Sequence, residues 1–220
     1  MKRFVFLSLL VCCTAFAVTG CSTVENVSVS SSAESTSAVL SKETAEAETS
    51  ADELPVNDEF DYEIVEGKAA ITGYKGSAAE VVVPAELGGA AVEKISPYAF
   101  EAKYDVTAVT LPETVTLIGE GAFMDCAMLR TINIPAAVTG IDRGAFVGCT
   151  SLTSLTIPAG VQYIREEAFT ACEAMTLLTI ENPDLVYENW GIEELGSLKI
   201  QAPAGSAVAE WAGSMGKLAE

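Results

Sequence analysis

The sequence predicts a mainly β solenoid, a strand-rich coil with short helical turns in which successive copies of one unit stack and share a core. Three observations carry this. Phe100, Phe123, Phe146 and Phe169, each preceded by Ala, recur every 23 residues, a fixed period in the range that marks stacked repeats. The same step joins Ile95, Ile118, Ile141 and Ile164; Val92, Val115, Val138 and Val161; Cys126, Cys149 and Cys172; and Pro112, Pro135 and Pro158. Within one unit, Ile132-Asn133-Ile134 alternates inward and outward side chains, the mark of a short strand. Half of the 220 residues are apolar, so the chain can bury a core.

From the amino terminus, Lys2 and Arg3 precede an apolar run from Phe4 to Val18, shorter than the roughly 20 residues that a spanning helix needs. Residues 1–20 read as a signal peptide. Val18-Thr19-Gly20-Cys21 resembles the bacterial lipobox, and the resemblance implies cleavage before Cys21 and lipid attachment to its thiol. The protein would then be extracytoplasmic, held at the cell membrane and cell surface by its lipid, with two acyl chains sufficient for stable anchoring. Residues 21–58 read as a disordered tether: Ser22 to Ala51 is rich in Ser, Thr, Glu and Ala and holds no aromatic residue, Pro or Gly.

Residues 59–220 form the solenoid, with full repeats over about 92–180. In each unit the strand is ended by Pro, which withholds a ladder donor, and Gly144-Ala145-Phe146 reads as a tight turn that drops a ring into the interior. Stacking puts equivalent residues roughly 4.8 Å apart, so Phe, Ile, Val and Cys form ladders along the axis. The ends are irregular. Ile71-Thr72-Gly73-Tyr74 and Val81-Val82-Val83-Pro84 form an opening half-repeat, followed by an inserted LGGAA. A C-terminal cap occupies about 181–220, where Trp190 reads as replacing the repeat Phe and Ser206 caps a short helix carrying Val208 and Trp211.

The unit A-F-x-x-C-x-x-L-x-x-I-x-I-P-x-x-V-x-x-I resembles the BspA-type leucine-rich repeat of bacterial cell-surface proteins. The resemblance implies a right-handed leucine-rich-repeat solenoid of 23-residue repeats with N- and C-terminal caps. It also implies adhesion to matrix proteins or other cells. The Asn ladder of ordinary leucine-rich repeats is missing, which favours a compact strand-rich coil over a horseshoe with outer helices.

The chain has no histidine, which excludes Ser-His-Asp and Cys-His catalysis, His-ligated catalytic zinc and imidazole acid–base steps. With 12 Lys+Arg against 31 Asp+Glu, it lacks the basic clusters that nucleic acid requires. Aligned cysteines on parallel rungs lack the geometry for a disulfide, and a straight ladder does not converge on a metal; Cys126, Cys149 and Cys172 read as buried, reduced core thiols. Glu166, Glu167, Glu193 and Glu194 read as exposed turn charges. No catalytic residue, metal or cofactor is expected. What remains is surface. The outward strand position carries Thr110, Asn133, Thr156 and Thr179, flanked by Thr107, Arg130, Thr153 and Thr176 and then by Ala108, Thr131, Ser154 and Leu177. This face suits a surface-anchored, non-catalytic binding or adhesion module for an extracellular protein or glycan; the alternative is a structural spacer or envelope scaffold. The acidity is denser toward the amino-terminal side: one Lys faces twelve acids between Ser22 and Glu66, against nine basic and nineteen acidic residues from Gly67 onward.

Overall fold

A computed structural model describes residues 58–219. The signal segment, Cys21 and the tether up to residue 57 lie outside the described residues. The solenoid opens with an antiparallel hairpin, β1 (Phe60–Val65) and β2 (Lys68–Tyr74). Glu66 and Gly67 turn it with positive φ of 54° and 77°, the backbone of the tight turn whose twist matches that of paired strands. β3 (Glu80–Val82), β4 (Glu86–Leu87) and β5 (Ala90–Ile95) complete the first turn. The inserted LGGAA is the bend of a second small hairpin, in which β4 pairs antiparallel with β5.

Each later turn contributes one strand to either side. The pairs are β6 (Ala108–Thr110) and β7 (Leu117–Ile118), β8 (Thr131–Ile132) and β9 (Gly140–Ile141), β10 (Ser154–Ile157) and β11 (Tyr163–Ile164), and β12 (Leu177–Ile180) and β13 (Val186–Tyr187). β14 (Lys199–Gln201) and the helix α1 (Ala207–Ser214) close the coil. On one side, here the back, β5, β7, β9, β11 and β13 run in one parallel sheet continuous with β2 and β1. On the other side, the front, the strands fall into two separate sheets, β3-β6-β8 and β10-β12-β14.

The core lies between them. Phe100, Phe123, Phe146 and Phe169 are fully buried, with successive ring centroids 5.0, 5.4 and 5.7 Å apart. Tyr74 extends the stack at 5.4 Å from Phe100. The Ala before each Phe lets the backbones close up: Phe123 N–H donates to the Ala145 carbonyl at 2.8 Å, and Phe146 N–H to that of Ala168 at 2.9 Å. Each thiol donates to a Phe carbonyl one turn back, Cys126 to Phe100 at 3.0 Å, Cys149 to Phe123 at 3.2 Å and Cys172 to Phe146 at 3.2 Å. The three cysteines are buried and unbridged. Burial, which penalises a thiolate, pushes Cys126 up to about 11 and Cys172 to about 12, and raises Cys149 as well. Tyr98, Gly121, Gly144 and Glu167 occupy one repeat position and all have φ between 56° and 62°. The stacked turn imposes that conformation even where a side chain costs about 1 kcal/mol or more.

At the C-terminal end the Ser206 Oγ accepts from the Ala209 N–H at 3.1 Å, capping α1, whose Val208 and Ala212 are buried. Trp190 departs from its expected place. Its carbonyl accepts from Phe169 N–H at 2.9 Å, the bond an Ala carbonyl makes in earlier turns, so Trp190 stands at the repeat's Ala position rather than at its Phe. Its ring stacks on Tyr187 at 4.6 Å and meets Trp211 edge-on at 5.7 Å. Because the shortened turn cannot seat another Phe, a separate aromatic cluster seals this end.

Candidate recognition face

The front strands carry their apolar residues inward and a neutral polar row outward. Register places Val82 beside Thr110, Thr156 beside Thr179, and Thr179 beside Gln201. The row Thr110, Asn133, Thr156 and Thr179 therefore lies on one face, lengthened by Val82 and Gln201, which the 23-residue step misses because the end turns are irregular. Thr110 and Thr156 are exposed and their hydroxyls have no partner among the described residues, while Thr179 is half-buried. In the flanking row Arg130, Thr153 and Thr176 are exposed. Hydroxyls here are partly spent on the fold: Thr176 Oγ1 donates to the Thr153 carbonyl at 3.2 Å and Thr107 Oγ1 to that of Ala79 at 3.0 Å.

Asn133 behaves differently from the threonines of its row. Leu111 N–H donates to Asn133 Oδ1 at 2.7 Å, and Asn133 Nδ2 donates to the Leu111 carbonyl at 2.9 Å. In a regular parallel ladder the first bond would go to the Asn133 main-chain carbonyl and the second would come from residue 135. Residue 135 is Pro, which has no N–H. Where Glu181 holds the equivalent place two turns on, its N–H does reach the Ile157 carbonyl, at 3.0 Å. The Asn133 amide thus replaces two main-chain rungs.

The consequence reaches the next turn. The Asn133–Ile134 peptide is one planar unit: the carbonyl that would meet Leu111 and the N–H that would meet Thr156 turn together. With Oδ1 in the carbonyl's seat, neither main-chain rung forms. β8 stops at Ile132, and β8 and β10 become facing edges of two different sheets. Ile132 is only half-buried, whereas Val109 and Leu155 at the same repeat position are 3% exposed. Between the edges lies an open cleft of about 340 Å³, lined by Thr131, Ile132, Asn133, Ile134, Ser154, Leu155 and Thr156. No ionisable residue lines it.

Charge collects elsewhere. Arg143 pairs with Glu167 at 2.8 Å, and Arg165 with Glu188 at 3.3 Å and Asp142 at 3.5 Å, all in turns that follow back-sheet strands. These pairs are exposed and contribute little stability each. Glu193 and Glu194 border a depression that Thr170 and Asn189 share. Among the described residues, no group of three or more His, Cys, Asp or Glu is placed to hold a metal ion. The cleft itself was not legible from residue types, since its polar groups are largely main chain. The one available signal was Asn standing in a row of Thr.

Known structures share this architecture. A leucine rich repeat protein of T. pallidum is 25% identical with a TM-score of 0.62, the match covering 66% of this chain and 69% of that one. A leucine-rich repeat protein from Bacteroides ovatus is 29% identical, TM-score 0.59, over 66% of this chain and 40% of that one. A leucine rich cell surface protein from Faecalibacterium prausnitzii is 30% identical, TM-score 0.58, over 67% and 42%. The chain thus spans about two-fifths of the length of the latter two. No curated protein sequence matches it. Residues 91–191 match the family model of the BspA type leucine rich repeat region in six copies, and the fold is that of a leucine-rich-repeat solenoid.

Proposed function

We propose that this protein is a non-catalytic binding module, lipid-anchored through Cys21 at the cell surface, that recognises an extracellular protein or glycan through its front strand face. The observation that carries the reading is the neutral outward row of the front strands, with free hydroxyls at Thr110 and Thr156 among the described residues. Regularly spaced donors and acceptors fit a ligand with its own repeat, such as an extended chain. The similarity to a leucine rich cell surface protein supports the location. The test is a screen of matrix proteins and glycans against the full chain, followed by replacement of Thr110, Asn133, Thr156 and Thr179 by Lys together. Loss of binding is expected; retained binding to every ligand found would remove the strand face from the assignment. For the anchor, Cys21→Ala should abolish palmitate labelling and release the protein from membranes, and unchanged labelling would refute lipidation there.

A second reading, a spacer or envelope scaffold, draws on the hydroxyls of Thr107 and Thr176 that bond within the coil. A specific ligand at micromolar affinity would exclude it.

A further inference from the structure

We infer that the interruption between β8 and β10 is a subsite for a carboxamide, the Gln or Asn side chain of a protein partner lying along the front face. The inference rests on the reading of that face as the recognition surface. Elsewhere in the coil, ladder bonds bind each turn to the next. Here the ladder bond from the Ile134 N–H to the Thr156 carbonyl is not made, and no pairing joins the two strands. An edge of this kind presents a donor beside an acceptor, and the hydroxyls of Thr131, Ser154 and Thr156 extend the set.

A ligand group that fills such a seat must offer an acceptor and a donor together without charge, since nothing ionisable lines the cleft to offset a charge. The protein already contains the pairing: the Asn133 amide grips the N–H and carbonyl of Leu111 at 2.7 and 2.9 Å. The same two-point contact, offered from outside, satisfies the edges that Asn133 leaves open one turn further on. The cleft volume, about 340 Å³, accommodates one such side chain with water to spare.

The test is titration of the ¹⁵N-labelled full chain with the peptide Thr-Gln-Thr-Gln-Thr, acetylated and N-methylamidated, and with its Leu counterpart, which is equally uncharged. The amide resonances of Ile134, Ser154 and Thr156 are expected to move together with the Gln peptide, at about ten-fold lower concentration than with the Leu peptide. Asn133→Thr, which rebuilds the ladder and closes the cleft, should weaken the Gln peptide by about ten-fold with an undiminished melting temperature. Thr156→Val keeps the side-chain shape and should weaken it several-fold. Equal response to both peptides, no response to either, or indifference to both variants would overturn the subsite. Shifts confined to the Thr176 and Thr179 end, or response to a glycan alone, would overturn it while leaving the face reading in place. Shifts only on the back sheet would overturn both.

Discussion

β9 and β11 meet as Gly140 with Tyr163 and Ile141 with Ile164, and the back sheet continues through them. β8 and β10, formed by the same two turns on the other side of the core, do not pair. The turns themselves are not displaced: Phe123 and Phe146 stack at 5.4 Å with an interplanar angle of 6°, and Phe146 and Phe169 at 5.7 Å and 10°. The pitch of this solenoid is therefore held by buried rings and by the back sheet, and front-sheet pairing is locally dispensable. A side chain able to imitate a peptide group, Asn133, stands at this opening.

The largest expected effect tests the shared support. Phe146→Ala should cost about 3 to 5 kcal/mol, lowering the melting temperature and loosening both sheets together. A loss below about 1 kcal/mol would mean that the sheets, and not the ring ladder, set the pitch. A smaller effect should separate the two sides. At Gly119, just after β7, a Cβ would fall 2.8 Å from the Ile95 carbonyl oxygen, a main-chain atom that cannot swing aside, so Gly119→Ala should cost about 1 to 3 kcal/mol by overpacking, read as a shift in denaturant midpoint. On the open side, Thr156→Ala should stay within about 0.5 kcal/mol; an equal loss at both sites would erase the distinction between back and front.

Asn133→Thr sharpens the comparison from the other direction. It should join β8 to β10 and raise stability by about 1 kcal/mol, the worth of a net hydrogen bond, and slow hydrogen exchange at the Ile134 and Thr156 amides. Unchanged exchange there would show that Asn133 is not what divides the front sheet. At neutral pH the thiols should have no effect that depends on pH. Their folded values lie above the ordinary thiol value of 9.0, Cys126 at about 11 and Cys172 at about 12. The stability they confer is therefore complete below about pH 9 and lost as pH rises through the folded values. Urea melts at pH 7 and pH 10 should show a decline that shrinks in a Cys149→Ala chain; an identical decline would assign it to other groups.

Much of this molecule is legible in its residue types and spacing. Phe, Ile, Val and Cys at a common step had to stack, because no single unit could enclose them, and the Ser206 cap followed from a small polar residue before an apolar helical stretch. The opening hairpin has only a short signal, Glu66-Gly67 between alternating residues, outside the 23-residue period. Trp190 stands at the repeat's Ala position because a shortened turn breaks the count that locates Phe100, Phe123, Phe146 and Phe169. Of the candidate face, the rows were legible and the cleft was not.

The sequence by itself determined the period, the composition of each ladder, the polarity of the outward row and the lack of any imidazole chemistry. These are properties of residue type and spacing, which tertiary structure can only express. Tertiary structure decided which hydrogen bonds the repeat completes. Whether Asn133 faces solvent or turns back on Leu111 depends on the missing N–H of Pro135 and on a carbonyl one turn away, two partners brought together only by stacking. The unmade main-chain rungs at Leu111 and Ile134, at the edge of the cleft, follow from that choice.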